Sequence, residues 1–191
     1  MHTIHHTEAI IVRSEPSGEA NKRLWLFTKE FGLLVVMVQG VRKPEAKLRS
    51  QLTDYGVISV DLIKGKNTWR LISARSIRTP LHAKERSFLA RAYVRTISLL
   101  ERFLTGEGQH HELFEHILSC GALIEKEGIN ARAFDALSLW KVLVLLGYCA
   151  VAEEEEPFFT LPFDRAIQLV DESRVKRLIK SATDAISYSH L

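Results

Sequence analysis

The sequence predicts an α+β protein in which a small β-barrel precedes a helical bundle. Apolar residues alternate along the first half and recur at helical spacing along the second. The charge changes at the same place: residues 1–80 hold 13 Lys and Arg against 7 Asp and Glu, whereas residues 81–191 hold 13 against 16. We therefore expect one domain over residues 1–80 and another over residues 81–191. The basic balance of the first predicts a polyanionic partner.

Five short strands are predicted in the first half, over residues 8–14, 23–28, 33–38, 57–63 and 68–75. The third, with the sequence LLVVMV, is apolar throughout and has glycine on both sides, which is typical of a buried strand. Five strands in about 70 residues fit a Greek-key barrel of the oligonucleotide-binding (OB) type. An SH3-like barrel would show much the same pattern, so the number of strands leaves that choice open.

The densest positive charge follows the third strand. Gly40 ends the strand, and Pro44 stiffens the loop after it. Cations this close together do not pack into a core unpaired, so we expect this loop to contact phosphate. The cations that it carries within eight residues are Arg42, Lys43, Lys47 and Arg49.

Basic and aromatic residues are interleaved throughout the predicted barrel. In proteins that bind single strands, cations follow the backbone while aromatic faces stack on bases. Packing in the core of the barrel or between domains is the alternative for Trp25 and Trp69. The DNA-binding residues predicted on this basis are Arg23, Trp25, Arg42, Lys43, Lys47, Arg49, Lys64, Lys66, Trp69 and Arg70.

The second half predicts helices over residues 83–104, 112–126 and 131–146, and helical spacing resumes at residue 164 and through residues 175–186. Asn130 is the predicted N-cap of the third helix, whose apolar residues surround it almost completely and make it central. The acidic segment VAEEEEPFFTLPF is predicted to be a polar connection. Three arginines of the first helix, with Lys84, form a basic ridge opposite its apolar stripe: Arg91, Arg95 and Arg102.

No catalytic or metal-binding pattern is found in the sequence. It has no G-x-S-x-G, P-loop or dinucleotide fingerprint, so we expect no enzyme activity. Cys120 and Cys149 are far apart and predict buried reduced thiols rather than a disulfide. The histidines at 110, 111 and 116 do not share one helical face and are predicted to lie on the surface; we expect no cofactor. Without a membrane-length apolar run or a secretory signal, we expect a cytoplasmic, nucleoid-associated protein.

An ordered set of short motifs resembles a known family. The set is an I-V-x-R strand, a G-E turn, a strand ending in L-F-T, then F-G, Q-G-V-R-K, L-x-x-x-L-T-D-Y and V-D-L-I-K-G. Over residues 8–78 it resembles the N-terminal domain of the bacterial recombination mediator RecO; the helical half is similar more loosely, best at LLGY, residues 145–148. The resemblance implies an OB barrel, binding of single-stranded and duplex DNA, and annealing of complementary strands. It also implies that the protein acts with RecR to load RecA onto DNA that is coated by single-strand-binding protein.

The chain departs from this family after residue 148. Many members carry a four-cysteine zinc module there, whereas here Cys149 stands alone, so we expect no zinc. The resemblance also implies that the helical domain captures the acidic, hydrophobic C-terminal tail of single-strand-binding protein, and the ridge of Arg91, Arg95 and Arg102 offers cations for it. The competing functions are a protein-docking adaptor and an RNA-binding barrel.

Overall fold

The computed structural model describes residues 3–66, 68–79, 87–104 and 106–188. The chain divides into two compact units. The first contains Met1–His82 with Leu104–Phe114, and the second contains Ala83–Phe103 with Glu115–Leu191. Residues 104–114 thus belong to the unit that contains the strands, although the sequence places them with the helices. This segment contributes to the candidate site described below.

Five strands form the first unit: β1 Ile4–Ser17, β2 Asn21–Thr28, β3 Gly32–Val38, β4 Val57–Lys64 and β5 Trp69–Arg78. They close into a barrel in the order β1-β2-β3-β5-β4. β1 also pairs with β4, which completes the ring; β3 and β5 are parallel, and all the other neighbours are antiparallel. This order is that of a Greek-key barrel rather than a simple meander, and with the helices that follow it confirms the predicted α+β fold with an OB barrel.

The core of the barrel comes from one face of each strand. On β2, Leu24 and Leu26 are fully buried and Trp25 points outward between them. The strand β3 was predicted to be buried on both faces, and that prediction is wrong. Its residues alternate: Val36 is buried, whereas Val35 is 43% exposed. The outer face of β3 is therefore an accessible apolar strip.

Six α-helices follow among the described residues: α1 Phe88–Phe103, α2 His111–Leu123, α3 Ala131–Leu145, α4 Glu156–Thr160, α5 Phe163–Ala166 and α6 Glu172–Tyr188. The predicted cap of α3 is confirmed, because Asn130 Oδ1 accepts from the backbone N–H groups of Arg132 at 3.1 Å and Ala133 at 3.2 Å. As expected of a helix that is apolar all round, α3 packs against both α1 and α6. The acidic segment is not wholly irregular, since it contains a 3-10 turn at Glu153–Glu155 and then α4.

His116 is buried in the helical unit, contrary to the prediction of a surface histidine. It is 4% exposed, its ring lies against Phe163, and its Nε2 lies 3.2 Å from the carbonyl oxygen of Ser138. Burial lowers the pKa of His116 to about 3; the charge of Lys141 acts in the same direction and the bond to Ser138 opposes it. The folded protein therefore holds this ring neutral at pH values where an unfolded chain would protonate it.

Stability is accordingly expected to fall as the pH drops below about 6.5. Between that value and about 3, the unfolded chain binds one more proton at this position than the folded chain. From pH 7 to pH 5, wild type should lose about 2 kcal/mol more unfolding free energy than His116→Gln, which cannot titrate but can still bond Ser138. Urea denaturation at both pH values measures this. Equal losses in the two proteins would show that folding does not lower the pKa of His116.

Candidate nucleic-acid interface

The outer face of β2 and β3 presents the partly accessible aromatic side chain of Trp25. Trp25 is half-buried there and pairs across the strands with Val35, while Arg23 is exposed and pairs with Met37. Because side chains alternate along a strand, all four lie on one side of the two strands. In OB barrels this face, with the β1–β2 and β4–β5 loops, binds oligonucleotides.

Two arginines flank the indole of Trp25. The guanidinium carbon of Arg13, on β1, lies 4.3 Å from the ring centroid, and that of Arg23 lies 6.0 Å away. A guanidinium over an aromatic ring is a cation–π contact, and it places positive charge beside a surface on which bases stack. The candidate interface thus places an aromatic ring beside two guanidinium groups, of which that of Arg13 also forms an ion pair with Glu15.

A cleft of about 560 Å³ opens on this face. Its volume suits a ligand of nucleotide size. Apolar side chains of β3 form its floor, and a segment from beyond α1 forms one wall. The residues that define it are Arg23, Val35, Met37, Thr68, Trp69 and Glu107.

Trp69 is not a second stacking platform in this structure. It is only 6% exposed, and its ring packs against His5 at 5.3 Å and Phe31 at 5.4 Å between centroids. Its indole N–H donates to Glu107 Oε1 at 3.0 Å. The packing alternative considered for this residue is thus the arrangement observed.

The predicted cations of the β4–β5 turn differ in their surroundings. The ammonium group of Lys64 lies 2.8 Å from Glu107 Oε2, so a carboxylate already balances its charge. The Lys64 and Trp69 hydrogen bonds lower the pKa of Glu107, in that order of effect, and keep it ionised. Lys66 and Arg70 are exposed, and Arg70 pairs with Met37 across the β3–β5 junction, which puts it at the edge of the candidate face.

The basic loop, residues 39–56, is held to the barrel at its beginning. The backbone N–H of Gly40 donates to Asn21 Oδ1 at 2.9 Å, and that of Arg42 donates to the carbonyl of Ala20 at 2.9 Å. The guanidinium of Arg42 donates to the carbonyl of Gly18 at 2.7 Å. Arg42 therefore braces the β1–β2 turn in addition to carrying charge.

The rest of the basic loop is anchored by apolar residues. Val41 and Leu52 are 2% and 5% exposed and belong to the barrel core, and Leu48 packs against them. Between these anchors the remaining predicted cations are exposed, two of them on the 3-10 turn Lys47–Gln51: Lys43, Lys47 and Arg49. The loop is thus a fixed cationic surface rather than a free arm, which reduces the ordering entropy lost on binding.

The three arginines of the helical ridge all lie on the exposed side of α1. Arg95 forms an ion pair with Asp135, while Arg91 and Arg102 lie 5.7 Å and 5.3 Å from the rings of Phe88 and Phe103. The fourth member of the predicted ridge, Lys84, falls outside the described residues. Helical spacing thus places Arg91, Arg95 and Arg102 on one exposed side of α1, and Asp135 balances the charge of Arg95.

Sequence reasoning missed several residues of the interface. Arg13 was seen only as part of a strand motif, and its contact with Trp25 depends on the β1–β2 register. Val35 and Met37 were assigned to a buried strand, although alternation with Val36 would have placed them outside. For Glu107 the sequence held no signal, because it lies 43 residues from Lys64.

The part of the chain that the structure describes holds neither a metal-binding cluster nor a membrane-spanning helix. No three His, Cys, Asp or Glu side chains gather there in a way that would hold a metal ion. None of the described helices has both the length and the apolar character needed to cross a bilayer.

Residues 1–79 match the family model for the N-terminal domain of recombination protein O, which covers the whole barrel. Residues 1–79 are thus similar to the N-terminal domain of RecO proteins. The chain is 28% identical over 159 residues to the DNA repair protein RecO of Bacillus cereus strain AH187, covering 79% of this chain and 63% of the relative. It is 29% identical over 153 residues to RecO of Pelotomaculum thermopropionicum, covering 78% and 58%.

The similarity to RecO continues beyond the barrel. Both alignments are longer than the 79 residues that the family model matches, so they extend into the helical unit. This chain nevertheless spans only about three fifths of the length of these curated relatives. The barrel is therefore the part of the chain in which the relationship to RecO is clearest.

Proposed function

We propose that this chain binds single-stranded and duplex DNA through its barrel and anneals complementary strands, as a mediator in DNA repair and homologous recombination. The observation that carries the proposal is the Arg13, Trp25 and Arg23 array on the outer face of β2 and β3. The exposed cations of the basic loop lie on the same domain and add positive charge to it. The similarity of its barrel to the N-terminal domain of recombination protein O supports the assignment to DNA repair.

Annealing on such a surface requires cations that contact the phosphates and bases that stay free to pair. It requires no covalent bond to be made or broken. Two strands repel each other through their phosphates, and cations that contact both backbones lower this repulsion. A single half-buried indole can stack on one base while leaving the neighbouring bases free to pair. The described face is shallow and open, which suits transient binding without regard to sequence.

The proposal is tested by titrating the chain against labelled single-stranded DNA, duplex DNA and RNA at two salt concentrations. We expect binding to single strands to weaken steeply with salt and Trp25, the only half-buried tryptophan among the described residues, to report it by fluorescence. A second assay follows the pairing of complementary oligonucleotides. Binding to no nucleic acid would favour the adaptor function, and preference for RNA would favour an RNA-binding barrel.

Removing the exposed loop cations is expected to flatten the salt dependence. With Lys43, Lys47 and Arg49 replaced by alanine, the slope of log K against log salt should fall by about 2 for single strands, since each phosphate contact contributes about 0.7. Arg42 is left intact because it braces the β1–β2 turn. The matched control removes three exposed cations of the helical unit, Lys126, Arg165 and Lys176. An unchanged slope in the loop variant would exclude the loop from the interface.

We also propose that the helical unit meets protein partners, namely RecR and the acidic C-terminal tail of single-strand-binding protein, and so promotes RecA loading. The ridge ends at Arg102, beside Phe103, whose ring lies 4.7 Å from Tyr148. Tyr148 lines a groove of about 430 Å³ that also carries Lys180. Cations around an apolar groove match a tail with carboxylates beside an apolar anchor. A labelled tail peptide that binds wild type and Arg102→Glu equally would exclude this placement.

A further inference from the structure

The carboxylate of Glu107 contacts two groups that would otherwise be offered to a nucleic-acid backbone. Its Oε2 lies 2.8 Å from Lys64 Nζ, and its Oε1 accepts the indole N–H of Trp69 at 3.0 Å. Lys64 Nζ is itself 5.4 Å from the centroid of the Trp69 ring. One anionic group is thus bound by an ammonium and by a neutral N–H donor, and a phosphate with two accepting oxygens would use the same pair.

Backbone contacts hold Glu107 in this position. It lies on the crossing segment, residues 106–110, which docks on the β2–β3 turn. The N–H of Gly108 donates to the carbonyl of Phe31 at 3.1 Å, and Glu107 forms an isolated β-bridge with Gly32. The carboxylate therefore does not depend on its own ion pair for its placement. It occupies one wall of the cleft whose floor includes Val35 and Met37.

The ion pair is weak enough to be displaced. The side chains of Lys64 and Glu107 are 55% and 49% exposed. Pairs exposed to this extent contribute about 0 to 1 kcal/mol, and salt screens them. A strand that presents several phosphates to the face can replace a single carboxylate, but its binding is reduced by the interaction that it displaces.

We propose that Glu107 is a built-in competitor of the nucleic-acid backbone, its carboxylate standing beside Lys64 and Trp69 in the place of a phosphate. This inference rests on the proposed function, since it requires that the face bind nucleic acid. Glu107 would limit the affinity of the face for nucleic acid. Annealed strands would then dissociate from the protein more readily. Lys64 then contributes to binding only after Glu107 is displaced.

The test compares Glu107→Gln with wild type in the titration against single-stranded DNA. The amide oxygen of glutamine can still accept from Trp69, so the substitution removes the charge and keeps the docking contact. We expect about fivefold tighter binding at low salt and a salt slope steeper by about 0.7. Glu125→Gln, an exposed carboxylate of the helical unit, is the charge-matched control and should change neither. Unchanged or weaker binding by Glu107→Gln would overturn the inference.

Lys64 provides a second test, which compares the effect of Lys64→Ala in wild type and in the Glu107→Gln background. In wild type, Lys64→Ala should weaken binding less than twofold, whereas Lys66→Ala, its exposed neighbour, should weaken it more. In the Glu107→Gln background, Lys64→Ala should abolish the gain, which is a coupling measurable by a double-mutant cycle. Equal effects of Lys64→Ala in both backgrounds would overturn the inference while leaving the proposed function intact. If wild type binds no nucleic acid, both fail.

Discussion

Trp25→Ala is expected to weaken single-strand binding by about 10- to 100-fold, the largest effect of any single substitution on the candidate face. Stacking of one base on an aromatic side chain contributes about 1 to 3 kcal/mol. The substitution also removes the ring against which Arg13 rests at 4.3 Å, so a correctly placed cation is lost with it. Because stacking does not distinguish bases, the loss should be similar for different sequences.

Two variants separate stacking from general damage to the barrel. Trp25→Phe keeps an aromatic face and should retain most of the affinity. Ile72→Ala removes an exposed apolar side chain, 49% accessible, from β5 and should leave binding unchanged. Fluorescence anisotropy of a labelled oligonucleotide measures all three. If Trp25→Ala binds the oligonucleotide as tightly as wild type does, bases do not stack on the β2–β3 face. The basic loop alone would then remain as the proposed DNA-binding site.

The elements of the barrel were predictable because local patterns determine them. Alternation and turn residues placed all five strands, although β1 begins four residues earlier than expected and so includes His5 and His6. The closure of the barrel was not predictable. It depends on a short parallel pairing, Val36 with Trp69 and Met37 with Arg70, between segments more than 30 residues apart. No local pattern in the sequence predicts such a pairing. For that reason the sequence alone did not distinguish an OB barrel from an SH3-like barrel.

The two tryptophans illustrate what the sequence contains and what it lacks. Trp25 alternates with two buried leucines and so faces outward, whereas Trp69 shares its face with Leu71 and so faces the core. The pattern that distinguishes them was present, but composition alone made both look like stacking residues. The neutralisation of Lys64 by Glu107 is a different case. It depends on a tertiary contact across 43 residues, and no periodicity predicts one.

Gly32→Ala is expected to destabilise the barrel unit by about 3 to 5 kcal/mol. Gly32 has a φ of 72°, and a β-carbon added there would lie 2.3 Å from the carbonyl oxygen of Gly108. The obstruction is backbone of the crossing segment, which cannot move aside as a flexible side chain would. The left-handed conformation costs about 1 to 2 kcal/mol for a residue with a β-carbon, and displacement of the segment adds to it.

Gly40→Ala isolates the conformational part of this cost. Gly40 has a φ of 68°, but a β-carbon there meets nothing within 4 Å. Its destabilisation should therefore stay near 1 to 2 kcal/mol, and the excess in Gly32→Ala measures the docking of residues 106–110 on the β2–β3 turn. Urea denaturation of the three proteins gives both differences. Equal losses would mean that the segment is displaced without cost, and the placement of Glu107 would then depend on its side-chain contacts with Lys64 and Trp69.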